Sequence, residues 1–188
     1  MASRNRPSLL SLIPNLINAL VPIGGVIFLA IGFSGLLVMG FGSVFGKDFI
    51  SGDGAGVVYT SERCADYFRF HPEAKDCYSA ATAHHYDEVV DIRGGIGAVG
   101  SMVLIAYYGL RRRFKWASDT RVIPRGFSST VAASLFGAAA FLLLGIFAMQ
   151  AGFGNTTGVG VLLASGLVSV VAFLAYATQL SRDLLRAG

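Results

Sequence analysis

Four apolar runs, residues 23–45, 94–110, 129–149 and 159–178, contain no Asp, Glu, Lys, Arg or His, and they constrain this chain more than any other feature. A helix needs about 20 residues to cross a ~30 Å hydrocarbon core, and the second run is at the short end of that range. In lipid, every backbone N–H and C=O must find its partner inside the protein, so isolated apolar runs of this length cross as helices. Charged residues make up only 14% of the chain, against about 25% in a soluble domain. The expectation is an all-α membrane protein, a four-transmembrane-helix bundle, with residues 1–188 forming one integral membrane domain.

Before the first run, residues 8–20 are apolar with polar interruptions at Ser11, Asn15 and Asn18, and prolines stand at 14 and 22. This pattern predicts a short interfacial helix leading into span one. A cleaved signal peptide is the competing reading, but the apolar run continues to Phe45 without a small-x-small site and a polar start after it. Spans three and four are joined by QAGFGNTTG, a tight Gly-rich turn that makes them antiparallel.

Charge placement sets the expected orientation. The N-terminal arm, residues 111–128 and the tail from 181 carry ten of the fifteen Lys and Arg residues but only Asp119 and Asp183 among the acids. Residues 47–93 carry the other five basic residues and nine acids. The positive-inside rule then puts both termini in the cytoplasm. Arg111, Arg112, Arg113 and Lys115 fall against the inner end of span two, where anionic lipid headgroups account for them without nucleic acid. An excess of Arg over Lys, 12 to 3, points to a GC-rich prokaryotic genome and hence a prokaryotic cell membrane.

Residues 47–93 then form an external cap between spans one and two. Its first part is Gly-rich with a β-prone run at 57–60 and suits a loop or hairpin fragment. From Ser61 the pattern turns helical and stops at His71-Pro72, and Pro72 is placed to open a second helix running through Arg93 into span two. A Gly94-Gly95 pair offers a kink at the membrane surface. Cys64 and Cys77 are the only cysteines. In an oxidising compartment they predict a disulfide clamping the two cap helices. The C-x12-C spacing differs from the CxxC pair of a redox-active centre.

All three histidines lie in this cap, and His84, His85, Asp87, Glu88 and Asp91 cluster just before span two. On a helix His84 and Glu88 share a face. Two imidazoles and a carboxylate suit zinc or copper, which makes His84, His85 and Glu88 the candidate metal ligands. The same cluster, taken as His84, Asp87 and Glu88, also reads as an external partner-docking joint, or as a solvated helix face supported by side-chain pairs.

Uncharged spans argue against proton relays, ion paths and gating charges. They also argue against haem, which needs axial His or Met at depth. Small residues four apart are plentiful instead, at Ala30/Ser34, Gly42/Gly46, Gly94/Ala98, Gly97/Ser101, Ala133/Gly137 and Ser165/Ser169. Such pairs let helix backbones approach closely. The expectation assigns Gly97 to packing inside the bundle, and Ala133 and Gly137 to docking on another subunit.

In topology alone (four spans, both ends inside, one cysteine pair in a large first outer loop) the chain resembles claudin-type proteins. Their outer-loop tryptophan signature is absent, since the single Trp116 falls on the inner side. The reading that follows is a non-catalytic accessory or structural subunit of a larger membrane assembly, with no cofactor and with lipids and other membrane subunits as partners. The alternatives are a small membrane enzyme or metal-handling protein centred on His84, His85 and Glu88, and an oligomeric pore walled by Ser, Thr and backbone groups.

Overall fold

The computed structural model describes residues 9–51, 61–114, 127–154 and 157–185, and all the regular structure among them is helical. The order is α1 (Leu9–Phe45), α2 (Asp48–Ser51), α3 (Ser61–Phe70), α4 (Cys77–Phe114), α5 (Phe127–Gly152) and α6 (Gly160–Leu185). By length and composition, helices α1, α4, α5 and α6 are long and apolar enough to cross a membrane, as a multi-pass membrane protein requires. The β-prone run at 57–60, Lys115 and the Asn155-Thr156 pair lie outside the described residues.

Helix α1 differs from the expectation. The helix predicted at 8–20 and the span predicted from 23 are one unbroken helix of 37 residues. Pro22 lacks an N–H, so the carbonyl of Asn18, four residues earlier, loses its helical donor. A second helix supplies the replacement. The Tyr107 hydroxyl, on a residue only 5% exposed, donates to the Asn18 carbonyl at 3.2 Å and lies equally close to Asn18 Oδ1. Pro22 is tolerated because an interhelical hydrogen bond satisfies what it leaves open.

Tyr107 closes one end of a long seam between α1 and α4. On α4 the seam residues are Tyr86, Val90, Arg93, Gly97, Gly100, Leu104 and Tyr107, spaced alternately four and three apart. Such a repeat keeps one stripe of a helix against its neighbour over many turns. Gly25 lies under Leu104, Gly35 against the Arg93 stem, and Gly42 under the Tyr86 ring. At the centre Gly32 and Gly97 meet backbone to backbone, since a Cβ built on Gly97 would stand 2.6 Å from the Gly32 Cα. A Cβ on Gly100 would likewise stand 2.8 Å from the Leu29 nitrogen. The Gly97 face therefore packs inside the chain, as expected.

Helices α5 and α6 form the second antiparallel pair. Gly154 and Gly158 in their connecting turn have φ of 78° and 71°, a left-handed conformation that glycine adopts without strain. Gly166 packs on Leu144 and Gly137 on the Phe173 ring. Ala133 is 7% exposed. Of the two residues expected on a docking face, Ala133 is thus buried within the chain and Gly137 is half-buried against the Phe173 ring of α6.

The two pairs meet at both ends. Away from the cap, Ile23 of α1 packs with Ala132 and Phe136 of α5, and Tyr176 stacks on Phe136 with centroids 6.0 Å apart. At the cap end, Val38, Ile50 and Ala164 form a buried cluster from α1, α2 and α6. Gly46, with φ 91°, ends α1 and turns the chain into α2. The Gly158 N–H then bonds the Asp48 carbonyl at 3.0 Å, tying the α5–α6 turn to α2.

Helix α4 has 38 residues, ~57 Å at 1.5 Å per residue, so about half of it projects beyond a ~30 Å core. It opens at Cys77 instead of Pro72, because Asp76 provides the stronger start. Asp76 Oδ1 accepts the Ser79 N–H at 2.8 Å, and Ser79 Oγ accepts the Asp76 N–H at 3.2 Å, a reciprocal cap. The Cys64–Cys77 disulfide is present, with Cα atoms 5.4 Å apart, and holds α3 against the first turn of α4.

Candidate functional site

Two groups of polar side chains stand out, one in the cap and one inside the bundle. In the cap, the disulfide brings α3 alongside α4, so α3 aromatic rings reach the α4 histidines. His84 lies between Tyr67 and Phe70, with ring centroids at 5.4 and 5.5 Å. His71 is buried in the turn after α3, with Glu73 Oε1 3.5 Å from its Nδ1 and Asp87 Oδ2 3.5 Å from its Nε2. His85 pairs with Glu88 at 3.7 Å on the exposed face.

This arrangement separates the residues expected to bind metal. Neighbouring positions on a helix diverge by about 100°, so His84 turns to the α3 rings while His85 turns to the exposed face, where Glu88 Oε2 lies 3.7 Å from its Nδ1. No group of three His, Cys, Asp or Glu side chains among the described residues is arranged to hold a metal ion. His84 is taken up instead by Tyr67 and Phe70 of α3, and the three expected ligands do not form such a group. His71, expected to reach back toward the cluster if the disulfide folds the two cap helices together, does so, with its ring 6.1 Å from that of His84 and Asp87 at its Nε2.

The second group centres on Arg93, which the sequence places at the end of the external cap. The structure places it within α4 on the seam facing α1, one helical turn before Gly97. Its Nη1 donates to Ser34 Oγ of α1 and to Ser165 Oγ of α6, the latter at 3.0 Å. Ser34 in turn donates to the Ile31 carbonyl at 2.6 Å, and Ser169 donates to the Ser165 carbonyl at 2.8 Å. One guanidinium thus joins α1, α4 and α6. Ser165 is five residues inside the start of α6, ~7.5 Å along the helix.

Arg93 also lines a cleft of about 410 Å³ between α1, α5 and α6. The cleft exists because α5 meets α1 at Ile23, Ala132 and Phe136, away from the cap, and leaves the rest of that face of α1 uncovered. Its walls are mainly apolar, including Ile31, Leu135, Ala139, Leu143 and Val168, with Ser34, Ser165 and Ser169 beside the guanidinium. The described ion pairs all use histidine, and none involves Arg93. A cation among hydroxyls at the edge of an apolar cleft can hold an anion and cannot by itself perform acid–base chemistry, since arginine keeps its proton.

Sequence reasoning missed Arg93 because it treated the apolar run as beginning at 94. The available signal was the seam spacing, which puts 93 in register with Gly97, Gly100 and Leu104. Comparison with protein-family models, curated proteins and solved structures finds no match to this chain.

Proposed function

We propose that this chain is a non-catalytic subunit of a larger membrane assembly and that it docks laterally through the Gly94/Ala98 face of α4. One observation carries the reading. Helix α4 is the least covered of the four apolar helices, and its small residues fall into two sets. Gly97 and Gly100 are closed against α1, whereas a Cβ on Gly94 or Gly95 would meet nothing within 4 Å. Gly94 and Gly95 border a recess of about 290 Å³ between α1 and α4, lined also by Gly32, Gly35, Leu36, Met39, Val90 and Asp91. Small residues gain little from lipid contact, and their use in membranes is the close approach of a second helix.

This moves the proposed lateral contact from Ala133 and Gly137 to α4. The cap end of the same helix contributes exposed carboxylates at Asp87 and Glu88, while His84 is taken up by Tyr67 and Phe70. The proposed orientation has both termini in the cytoplasm of a prokaryotic cell and the cap outside. That places Arg111, Arg112 and Arg113, exposed in the last turn of α4, at anionic headgroups. The test is purification from native membranes in mild detergent, followed by mass measurement of the intact complex. A defined assembly that dissociates on Gly94→Leu, with the isolated chain as stable as wild type, supports the reading. A monodisperse single chain in native membranes would refute it.

A further inference from the structure

We propose that the cleft at Arg93 binds a long-chain fatty acid, with the carboxylate on the Arg93 guanidinium and the acyl chain along the wall formed by Leu135, Ala139, Leu143 and Val168. An arginine inside a transmembrane bundle is expensive to place, and such residues face a partner, a cavity or a pathway. Arg93 faces a cavity. The described contacts give it two neutral serine oxygens, both on Nη1, although a guanidinium carries five N–H donors in a planar fork that matches a carboxylate edge-on.

The hydroxyls around it suit the same ligand. Ser34 has committed its proton to the Ile31 carbonyl and so acts on Arg93 as an acceptor, fixing the guanidinium in place. Ser165 Oγ also accepts from Arg93, and none of the described hydrogen bonds uses its own proton, which can go to a second carboxylate oxygen.

Shape and depth select among anionic amphiphiles. A volume of about 410 Å³ lies within the ~300–1,000 Å³ range of ligand sites and suits a single chain more closely than the two chains and glycerol of a phospholipid. The guanidinium sits beside Ser165, ~7.5 Å inside the start of α6. A carboxylate ends its molecule and can descend to that depth. A phosphodiester carries a polar substituent on its far side that would have to follow. The occupant is therefore a terminal carboxylate on one chain. The cleft lies between α1, α5 and α6 and does not require assembly through α4.

The test uses the full chain in a neutral detergent, with oleate as the probe and oleyl alcohol and phosphatidylglycerol as controls. Binding is read by titration calorimetry and by the 13C signal of carboxyl-labelled oleate. The expected result is saturable one-to-one binding of oleate, at least tenfold tighter than either control. Arg93→Gln should weaken oleate at least tenfold and leave oleyl alcohol unchanged. Ala139→Phe fills the cleft without touching Arg93, so it should weaken oleate even if the arginine variant fails to fold. Equal binding of oleate and oleyl alcohol would overturn the proposal, as would wild-type oleate affinity in the folded Arg93→Gln or Ala139→Phe protein. Preference for phosphatidylglycerol would overturn it in favour of a phospholipid site.

Discussion

Replacing Gly97 by alanine tests the seam between α1 and α4 at its closest point. The added Cβ would stand 2.6 Å from the Gly32 Cα, a backbone atom that cannot rotate away. Restoring ordinary contact moves the helices apart by ~0.8 Å, and a gap of that size forfeits a quarter to a half of the dispersion attraction of the atoms it separates. Overpacking of this kind costs about 1–3 kcal/mol. Alanine is also a better helix former than glycine by roughly 0.5–1 kcal/mol, which offsets part of the loss. Gly94→Ala supplies the reference, since its Cβ meets nothing within 4 Å and only the propensity gain remains. The propensity contribution cancels between the two variants, so their difference isolates the steric term. Unfolding of the purified proteins by SDS in mixed micelles, followed by helix circular dichroism, should place Gly97→Ala about 1–3 kcal/mol below Gly94→Ala. Stabilities equal within ~0.3 kcal/mol would refute the backbone-to-backbone contact.

Tyr107→Phe should destabilise the bundle by ~1–2 kcal/mol in the same assay, because the Asn18 carbonyl exposed by Pro22 loses its donor. Restoring an N–H with Pro22→Ala should make the Tyr107→Phe loss smaller. Reducing the Cys64–Cys77 disulfide, or replacing both cysteines by serine, should release α3, which limited proteolysis reads as new cleavage between Ser61 and Asp76. The loss expected from chain entropy is ~3 kcal/mol, and unchanged proteolysis would show that the cap holds without it. Hydrogen bonds from the Ser79 side chain and then the Ser79 backbone hold the Asp76 carboxyl below its usual range. A depressed carboxylate supports the folded state above its unfolded pKa and loses that support as pH falls through the folded value. Hydrogen exchange at the Ser79 amide should therefore stay protected through pH ~4 and open below it, whereas Asp76→Asn, which still caps, should flatten that dependence.

The four apolar helices were legible because their runs exceed the span length and lack charge, an inference that needs no tertiary information. The disulfide was legible because a chain with two cysteines has one way to pair them. What the sequence concealed depended on contacts between helices distant in the chain. Pro22 looked like a break because its remedy, Tyr107, lies on α4. Gly137 looked available for docking because its neighbour, Phe173, belongs to α6. His84 and Glu88 looked like joint ligands because helical spacing carries no record of Tyr67 and Phe70, which α3 brings against His84. Arg93 was the largest omission. Its charge assigned it to the polar cap, although its spacing from Gly97, Gly100 and Leu104 assigned it to the seam, and in the structure the seam prevails.

The most direct test of the account is whether residue 93 lies inside the bundle or in the cap. The seam glycines hold α4 in register without the guanidinium, so a cysteine can report the position in the full chain with the native disulfide intact. In opened membranes, where a membrane-impermeant maleimide reaches both faces, His85→Cys should label rapidly, since His85 is about half exposed beside Glu88. Arg93→Cys, between α1 and α6, should label at least tenfold more slowly and react fully only after denaturation. Labelling of Arg93→Cys as fast as His85→Cys would place residue 93 in water and contradict the account.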